Sequence, residues 1–232
     1  MTTPIYHFFH VLAKNHWREL VADHIDNLVT SGLYERLASM EIGFIGNSDE
    51  RAEMIEMIKG YPKMRVATFS DDPKQYEFLT LRLIEIKLAQ EKTFYIYYSH
   101  GKGCSFGKDH PAHTGGRTWF DYMEYFNCTK WKNAVRVLDF GYQSYGVKLW
   151  DKKTSPSQTL HYSGNSFWAT SDYAKTWGKI NDINTADRFG AETQLCGKNS
   201  PIAFTACQLF IDYTCKETFQ ELLFKGKVKE LI

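Results

Sequence analysis

The sequence has no long apolar segment and no excess of charge of either sign. It contains no run of eighteen consecutive apolar residues, so we expect no membrane-spanning helix. Its 28 basic and 27 acidic side chains leave a formal net charge of +1, which argues against a dedicated nucleic-acid-binding protein. The start, MTTPIYHFF, lacks the basic and apolar regions of a signal peptide, so we expect a cytoplasmic protein.

The patterns that usually mark structural disulfides or metal ions are also missing. The five cysteines include no CxxC pair, and a chain of 232 residues does not need a disulfide framework, so we expect reduced thiols. The eight histidines have no Cys or carboxylate partner at a recognised ligand spacing. Asp71 and Asp72 precede a helical pattern, which favours helix capping over metal binding. Ligand spacing alone therefore predicts no metal site.

Aromatic residues, by contrast, are abundant. Fourteen Tyr, sixteen Phe and six Trp make up 16% of the chain. Two interpretations are open: a core and surface rich in tyrosine, or a cleft whose rings face a sugar or a base.

Strands and helices alternate along the first half of the chain. Strands are predicted over residues 5–12, 41–47, 64–70 and 93–99. Helices are predicted over 16–30, 48–60 and 71–90, with Asn15 and Ser48 as caps of the first two. This order predicts right-handed βαβ crossovers, and therefore an α/β fold with a mostly parallel, Rossmann-like central sheet flanked by helices.

The second half is less regular. Residues 107–118 are rich in Gly, His and Pro, which predicts an exposed loop. A helix is predicted over 118–138, strands over 145–150 and 159–169, a short helix over 172–177 and a terminal helix over 216–224. No repeat, low-complexity run or linker interrupts the chain, so we expect a single domain over residues 1–232.

A glycine-rich turn, SHGKG (99–103), follows the fourth predicted strand. Gly101 and Gly103 let the backbone approach a ligand closely, and Lys102 offers a positive charge to phosphate oxygens. The position favours a ligand site, because ligands bind at the carboxyl ends of parallel strands. The alternative is a plain glycine turn with a solvated lysine. Neither a Walker loop nor a GxGxxG dinucleotide fingerprint is present.

A second polar cluster, HYSGN (161–165), lies in the second half. It combines hydrogen-bonding side chains with a glycine, and the aromatic Trp168 follows it. Hydroxyl-binding groups beside a flat apolar ring suit a sugar. The alternative is a hairpin turn with ordinary core aromatics.

A third block, DRFGAE (187–192), places charges beside a glycine in an otherwise apolar region. Asp187 and Glu192 are candidate general bases for a hydroxyl nucleophile. Carboxylates of this kind also form surface ion pairs and helix caps, and that interpretation stays open.

In order and spacing, these blocks resemble a family of small glycosyltransferase-like proteins from bacterial polysaccharide clusters and some large DNA viruses. The family pattern has an Asn-x-Trp helix start, a TL..L helix, a YLHTKG turn, a Trp-containing helix, an H-[FY]-S-G-N-[FW]-W-W-A block and a late R-[FY]-x-A-E. The matching residues are Asn15, Trp17, Thr80, Leu81, Ile84, Tyr98, His100, Lys102, Gly103, Trp119, Tyr122, Met123, 161–165, Trp168, Ala169, Arg188, Phe189, Ala191 and Glu192. Ser99, Gly101 and Ser166 depart from the pattern.

The resemblance implies a GT-A-like transferase for a nucleotide-diphosphate sugar. Residues from about 1 to 106 would bind the nucleotide, and those from about 107 to 232 the sugar and acceptor. The diphosphate would lie against His10, His100, Gly101, Lys102 and Gly103, with the backbone N–H groups of both glycines assisting the lysine. The Asp-x-Asp that usually holds a metal on this turn is absent, so we expect a metal-independent site. Mn²⁺ or Mg²⁺ held by Asp71, Asp72 or Asp139 is the alternative.

The same resemblance assigns roles to the second half. Glu192 would take the proton of the acceptor hydroxyl, with Asp187 in reserve, and inversion at the anomeric carbon is expected. Sugar, acceptor and phosphate contacts would come from His161, Tyr162, Ser163, Gly164, Asn165 and Arg188, with Trp168 beneath a sugar ring. The expected partners are a UDP- or GDP-sugar and a glycan or glycoprotein acceptor, in the host cytoplasm if the protein is viral.

Two other functions are open. A non-catalytic nucleotide-sugar or carbohydrate-binding module would keep the cleft without turnover. A hydrolase would use Cys104 or Ser105 with His100, although neither nucleophile lies in a G-x-S-x-G elbow.

Overall fold

The computed structural model describes residues 2–150, 160–180, 190–192 and 202–231. Its strands are β1 (Ile5–Leu12), β2 (Leu37–Ile45), β3 (Met64–Ser70), β4 (Tyr95–His100), β5 (Ser144–Gly146), β6 (Leu149–Trp150), β7 (His161–Tyr162), β8 (Phe167–Thr170) and β9 (Ala203–Thr205). Its α-helices are α1 (Trp17–Thr30), α2 (Leu33–Arg36), α3 (Ser48–Ile58), α4 (Phe78–Gln90), α5 (His113–Glu124), α6 (Trp131–Asp139), α7 (Ser171–Ala174) and α8 (Phe219–Phe224). None of these helices is long and apolar enough to cross a membrane.

Seven of these strands form one sheet in the order β3-β2-β1-β4-β8-β5-β9, while β6 and β7 pair separately. β1 is parallel to both β2 and β4, and β2 is parallel to β3. β8 runs antiparallel to β4 and β5, and β5 is parallel to β9. The predicted α/β class, with a mostly parallel central sheet flanked by helices, is confirmed.

Two predicted helix caps are wrong, and both errors lie next to strand ends. α1 begins without a side-chain cap, because Asn15 takes a left-handed φ of 50° and its amide donates to the Cys104 carbonyl at 2.8 Å. Asn15 thus ties the end of β1 to the turn after β4. α3 is capped by Asn47 rather than Ser48, in a reciprocal pair of hydrogen bonds with Glu50.

The predicted helix over 71–90 is shorter than expected. Asp72 caps a separate 3₁₀ turn, Pro73–Gln75, by accepting from the Lys74 N–H, so the capping prediction is confirmed for Asp72. Tyr76 then adopts φ 45°, which an L residue rarely takes and which no helix continues through. α4 therefore starts only at Phe78, and Glu77 immediately precedes it.

The predicted loop over 107–118 and helix over 118–138 also need correction. α5 already begins at His113, within the predicted loop. A π-helical turn, Tyr125–Thr129, then separates α5 from α6, with the Lys130 N–H donating to the Tyr125 carbonyl. Such a turn inserts one residue into the helical repeat, which a 3.6-residue apolar period does not reveal.

Apolar layers cover both faces of the sheet. Alternate residues of β1 point to opposite sides, so Phe9 packs in the cluster with α1, α5 and α6, and Phe8 packs in the cluster with α4. The largest side chains that are less than 2% exposed include Trp168, Tyr97, Tyr98, Tyr122, Tyr145, Tyr162 and Tyr173. Many of the aromatic residues therefore lie in the core, in agreement with the interpretation of a tyrosine-rich core.

A chain of buried polar groups crosses the larger cluster. His7 Nδ1 donates to the Tyr97 carbonyl at 3.0 Å, and its Nε2 lies 2.7 Å from His24 Nε2. A carbonyl only accepts, so His7 Nδ1 carries the hydrogen. Because burial holds the pKa of His7 well below its ordinary value, its Nε2 accepts a hydrogen bond from the Nε2–H of His24. His24 Nδ1 in turn lies 2.8 Å from Glu124 Oε2, within hydrogen-bond distance. The chain joins β1, α1 and α5.

Candidate functional site

A cleft of about 260 Å³ opens at the carboxyl ends of β1, β2 and β4. The chain leaves β1 towards β2 and leaves the neighbouring β4 towards β5, in the opposite direction, and α/β sheets bind ligands at such a point. The strand ends contribute His10, Leu12 and Ile45 to the wall, and the turn after β4 contributes residues 100–105. The wall is completed by Pro73, Tyr76, Glu77, Glu192 and Tyr213.

The structure brings many of the predicted site residues together. The predicted residues that line the cleft are His10, His100, Gly101, Lys102, Gly103 and Glu192. They come from both halves of the chain, which fold against each other here. Asp187 and Arg188 lie outside the residues that the structure describes, and their roles stay predictions.

The glycine turn is a fixed element of the cleft. Gly103 has φ +93°, and a β-carbon there would lie 3.0 Å from the carbonyl carbon of Gly116 in α5. The Gly101 N–H donates to the His10 carbonyl at 3.2 Å. The expected contact of this N–H with a diphosphate is therefore wrong, because it already has an acceptor. The Gly103 N–H has no acceptor among the described residues.

Lys102 is held over two aromatic rings. Its Nζ lies 4.1 Å from the ring centroid of Trp119 and 5.7 Å from that of Tyr213. Trp119 also packs against Gly164, whose added β-carbon would lie 2.8 Å from Trp119 Nε1. Trp119 thus links the lysine turn to the 161–165 loop. Sequence reasoning assigned it no role, although its match to the family pattern was a usable signal.

The 161–165 loop directs its polar groups mainly into the protein. Tyr162 donates to the Phe204 carbonyl at 2.8 Å, and the Gly164 carbonyl accepts from His100 Nε2 at 2.6 Å. The Asn165 amide donates to the Glu77 carboxylate. The Tyr162 hydroxyl and an N–H of the Asn165 amide, both expected to bind a sugar, are therefore occupied within the protein, and the loop positions other cleft residues.

The Ser163 side chain is also buried, and Trp168 is fully buried. The Trp168 ring stacks on Tyr97 with a centroid distance of 4.9 Å, and its Nε1 donates to the Asn127 carbonyl at 2.9 Å. The prediction that Trp168 packs beneath a sugar ring is wrong, because neither face of the ring reaches the cleft. Its role is to join β8 to β4 within the core.

Glu77 is the cleft residue that sequence reasoning missed. Its Oε2 accepts from the Tyr98 hydroxyl at 2.7 Å and from Asn165, and its Oε1 lies 3.8 Å from His100 Nδ1. Burial raises the pKa of Glu77, but His100, His10 and the Tyr98 hydrogen bond outweigh it, so the pKa falls below its ordinary value. The sequence did carry a signal for Glu77, since it is the one acidic residue in the apolar stretch YEFLTL. The predicted helix over 71–90 concealed this signal, because it treated Glu77 as an ordinary helix residue.

Glu192 stands at the other side of the cleft. Its side chain is 29% exposed, and its Oε2 lies 4.0 Å from His161 Nε2. A partly exposed carboxylate beside a histidine can accept a proton from an incoming hydroxyl group. Glu192 and His161, both of which were predicted to be site residues, are therefore adjacent in the structure.

His10 is a neutral member of the cleft. Its Nδ1 lies 2.8 Å from Thr80 Oγ1. Burial, reinforced by His100 and opposed by Glu77, lowers the pKa of His10 to about 4. Near pH 7 it can hydrogen-bond a ligand but adds no charge.

The cysteine form of the hydrolase alternative fits the cleft poorly, whereas the form that uses Ser105 stays a prediction. Cys104 lines the cleft, but burial raises the pKa of its thiol to about 11. The nucleophilic form of cysteine is the thiolate, which this pKa disfavours near neutral pH.

The alternative metal ligands do not converge on the cleft. Asp139 accepts from the Tyr95 hydroxyl at 2.6 Å, at the amino end of β4, so the proposal that it holds a metal at the opposite end is wrong. Asp72 is exposed and caps the turn that follows β3. Across the described parts of the chain, no three His, Cys, Asp or Glu side chains form a group suited to a metal ion.

No protein-family model matches the sequence, and no curated protein matches it either. A crystal structure of 4-diphosphocytidyl-2C-methyl-D-erythritol synthase is similar over 82% of this chain and 86% of that one, with 11% identity and a TM-score of 0.38. Residues 1–349 of S. aureus TarS are similar over 88% of this chain and 60% of that one, with 10% identity and a TM-score of 0.41. Likenesses this distant assign neither a family nor an activity to this chain.

Proposed function

We propose that this chain is a GT-A-like glycosyltransferase, which moves a sugar from a nucleotide-diphosphate donor to an acceptor hydroxyl group. The observation that carries the proposal is a single cleft at the point where the strand order reverses. It joins a glycine turn bearing Lys102 to the carboxylate of Glu192. One side suits a phosphate leaving group and the other suits a general base.

In the proposed reaction, the acceptor oxygen attacks the anomeric carbon while Glu192 takes the hydroxyl proton. The bond between that carbon and the β-phosphate oxygen breaks, and its electron pair leaves with the nucleoside diphosphate. Lys102 and the Gly103 N–H would stabilise the charge that develops on this leaving group. A single direct displacement inverts the configuration of the anomeric carbon.

The donor is proposed to be a UDP- or GDP-sugar, and the acceptor a glycan or glycoprotein. The nucleotide would occupy the strand ends of the first half, where Leu12 and Ile45 offer an apolar wall. The acceptor would approach from the side of Glu192. Glycan biosynthesis in the cytoplasm is the proposed setting.

Ligand-dependent thermal stability tests donor binding. UDP-glucose, UDP-N-acetylglucosamine and GDP-mannose are each added with Mn²⁺ or with EDTA. A donor at one hundred times its dissociation constant adds about 2.7 kcal/mol to the free energy of unfolding, which raises Tm measurably. A shift that survives EDTA supports the metal-independent form, and a shift that needs Mn²⁺ overturns it. No shift with any donor contradicts the proposal as a whole.

The variant Glu192→Gln then separates an enzyme from a non-catalytic binding module. We expect turnover, followed as release of nucleoside diphosphate, to fall by about 10²–10⁴-fold, because a general base is lost. Donor affinity should stay within about twofold, since an isosteric amide keeps the shape of the cleft. Glu91→Gln, which alters an exposed carboxylate outside the cleft, is the matched control. Unchanged turnover in Glu192→Gln would remove Glu192 as the base, and donor binding without turnover in the unaltered protein would favour the binding module.

A further inference from the structure

The two oxygens of Glu77 have different environments. Oε2 accepts two hydrogen bonds, from the Tyr98 hydroxyl and from the Asn165 amide. Oε1 faces the cleft, and His100 Nδ1 lies 3.8 Å from it, which is too long for a hydrogen bond. In this partly buried carboxylate, one oxygen therefore has two hydrogen-bond donors and the other oxygen has none among the described residues.

The residue before Glu77 has a strained backbone conformation. Glu77 occupies the N-cap position of α4 but makes no capping hydrogen bond, so its carboxylate is directed elsewhere. Tyr76 has a φ of 45°, which is strained for a bulky L residue, whereas Asn165 (50°) and Gly164 (80°) are residue types that adopt positive φ more readily. Strain of this kind persists where the surrounding structure enforces it, and it concentrates at functional sites.

The chemistry of the open oxygen limits what it can bind. The lowered pKa of Glu77 keeps it ionised near neutral pH, and an anion in a cleft repels phosphate. An anionic oxygen accepts strongly from a hydroxyl group. Because His100 Nδ1 lies 3.8 Å from Oε1, a hydroxyl group that donates to Oε1 from the cleft would also lie beside the His100 ring.

We propose that Glu77 Oε1 accepts a hydrogen bond from a hydroxyl group of the donor sugar, beside the His100 ring, and so selects and orients that sugar. The inference rests on the proposed function, since it requires a nucleotide-sugar in the cleft. It assigns the hydroxyl contact to Glu77 rather than to Tyr162 and Asn165. Those two residues contact the protein instead, and Asn165 acts by holding Glu77.

The test measures how much the sugar adds to binding. Dissociation constants are determined for UDP, UDP-glucose, GDP and GDP-mannose with the unaltered protein, Glu77→Gln and the control Glu91→Gln. In the unaltered protein we expect one of the two sugars to tighten binding about tenfold over its nucleoside diphosphate, the usual order for a hydrogen bond to a charged group. In Glu77→Gln this gain should fall below about twofold, with no loss of affinity for the diphosphate alone. Glu91→Gln should keep the full gain.

A second measurement needs no variant and so does not depend on folding. UDP-glucose or GDP-mannose analogues that each lack one sugar hydroxyl are bound to the unaltered protein, and one of them should bind about tenfold more weakly than its parent. If Glu77→Gln is folded, as its melting curve shows, that analogue and the parent should bind it equally. A sugar gain that persists in Glu77→Gln, or a deoxy series with no weak member, overturns the inference while leaving the proposed function standing. Failure of every nucleotide-sugar to bind the unaltered protein overturns both.

Discussion

Substitution of Gly164 by alanine perturbs the cleft in two separable ways. Its φ of +80° lies in the left-handed region, which costs an L side chain about 1–2 kcal/mol. A β-carbon there would also lie 2.5 Å from Met123 Sδ and 2.8 Å from Trp119 Nε1, and overpacking typically costs about 1–3 kcal/mol. We expect Gly164→Ala to lower the free energy of unfolding by about 2–5 kcal/mol, the sum of these two contributions.

Urea denaturation followed by circular dichroism measures this loss, and two other glycines serve as controls. Gly141 has φ +97° with nothing near its missing β-carbon, so Gly141→Ala should show only the backbone contribution of about 1–2 kcal/mol. Gly60 has open space and no positive φ, so Gly60→Ala should be close to neutral or slightly stabilising. A loss for Gly164→Ala no larger than that for Gly141→Ala would refute the packing argument.

Two further predictions concern buried titratable groups. The pKa of His10 falls from 6.5 to about 4 on folding, so between these pH values the unfolded chain binds a proton at His10 that the folded state does not. The contribution of His10 to the free energy of unfolding is therefore complete above pH 6.5, and about 3 kcal/mol of it is lost as the pH falls towards 4. Urea titrations across this range should show a shallower slope for His10→Asn, and an unchanged slope would contradict the assignment. Removing a partner from the buried His24–Glu124 pair, by Glu124→Gln, should cost about 3 kcal/mol, against under about 1 kcal/mol for Glu53→Gln in an exposed ion pair. Equal losses in the two variants would show that burial does not strengthen the first pair.

The sheet and the position of the cleft could be predicted from sequence because they depend on short-range periodicity. Apolar runs at β1 and β3 begin and end where the sequence predicts, and alternation with helices implies parallel strands. Parallel strands bring their carboxyl ends to one edge, which is why His10, His100 and Lys102 could be expected to meet.

The contacts inside the cleft could not be predicted because they join residues far apart in the chain. Asn15 has the composition and position of a helix cap, yet its amide serves a carbonyl 89 residues away. Asn165 carries the right groups for a sugar, yet it serves Glu77 across 88 residues. In each case the local pattern allowed two partners with similar hydrogen-bond chemistry, and only tertiary packing decided between them.

For the proposed donor, the charges of the cleft favour one orientation over the other. Two like unit charges 4 Å apart repel by about 4 kcal/mol at an effective dielectric constant of 20, so a diphosphate placed beside ionised Glu77 would be strongly disfavoured. His10 is neutral and cannot offset that repulsion, whereas the glycine turn carries the ammonium group of Lys102 and the Gly103 N–H without an acceptor among the residues described. The diphosphate therefore belongs at the turn and the hydroxyl-bearing sugar beside Glu77. Under the proposed function, the acceptor hydroxyl would then enter from the side of Glu192, the proposed base on the opposite wall of the cleft.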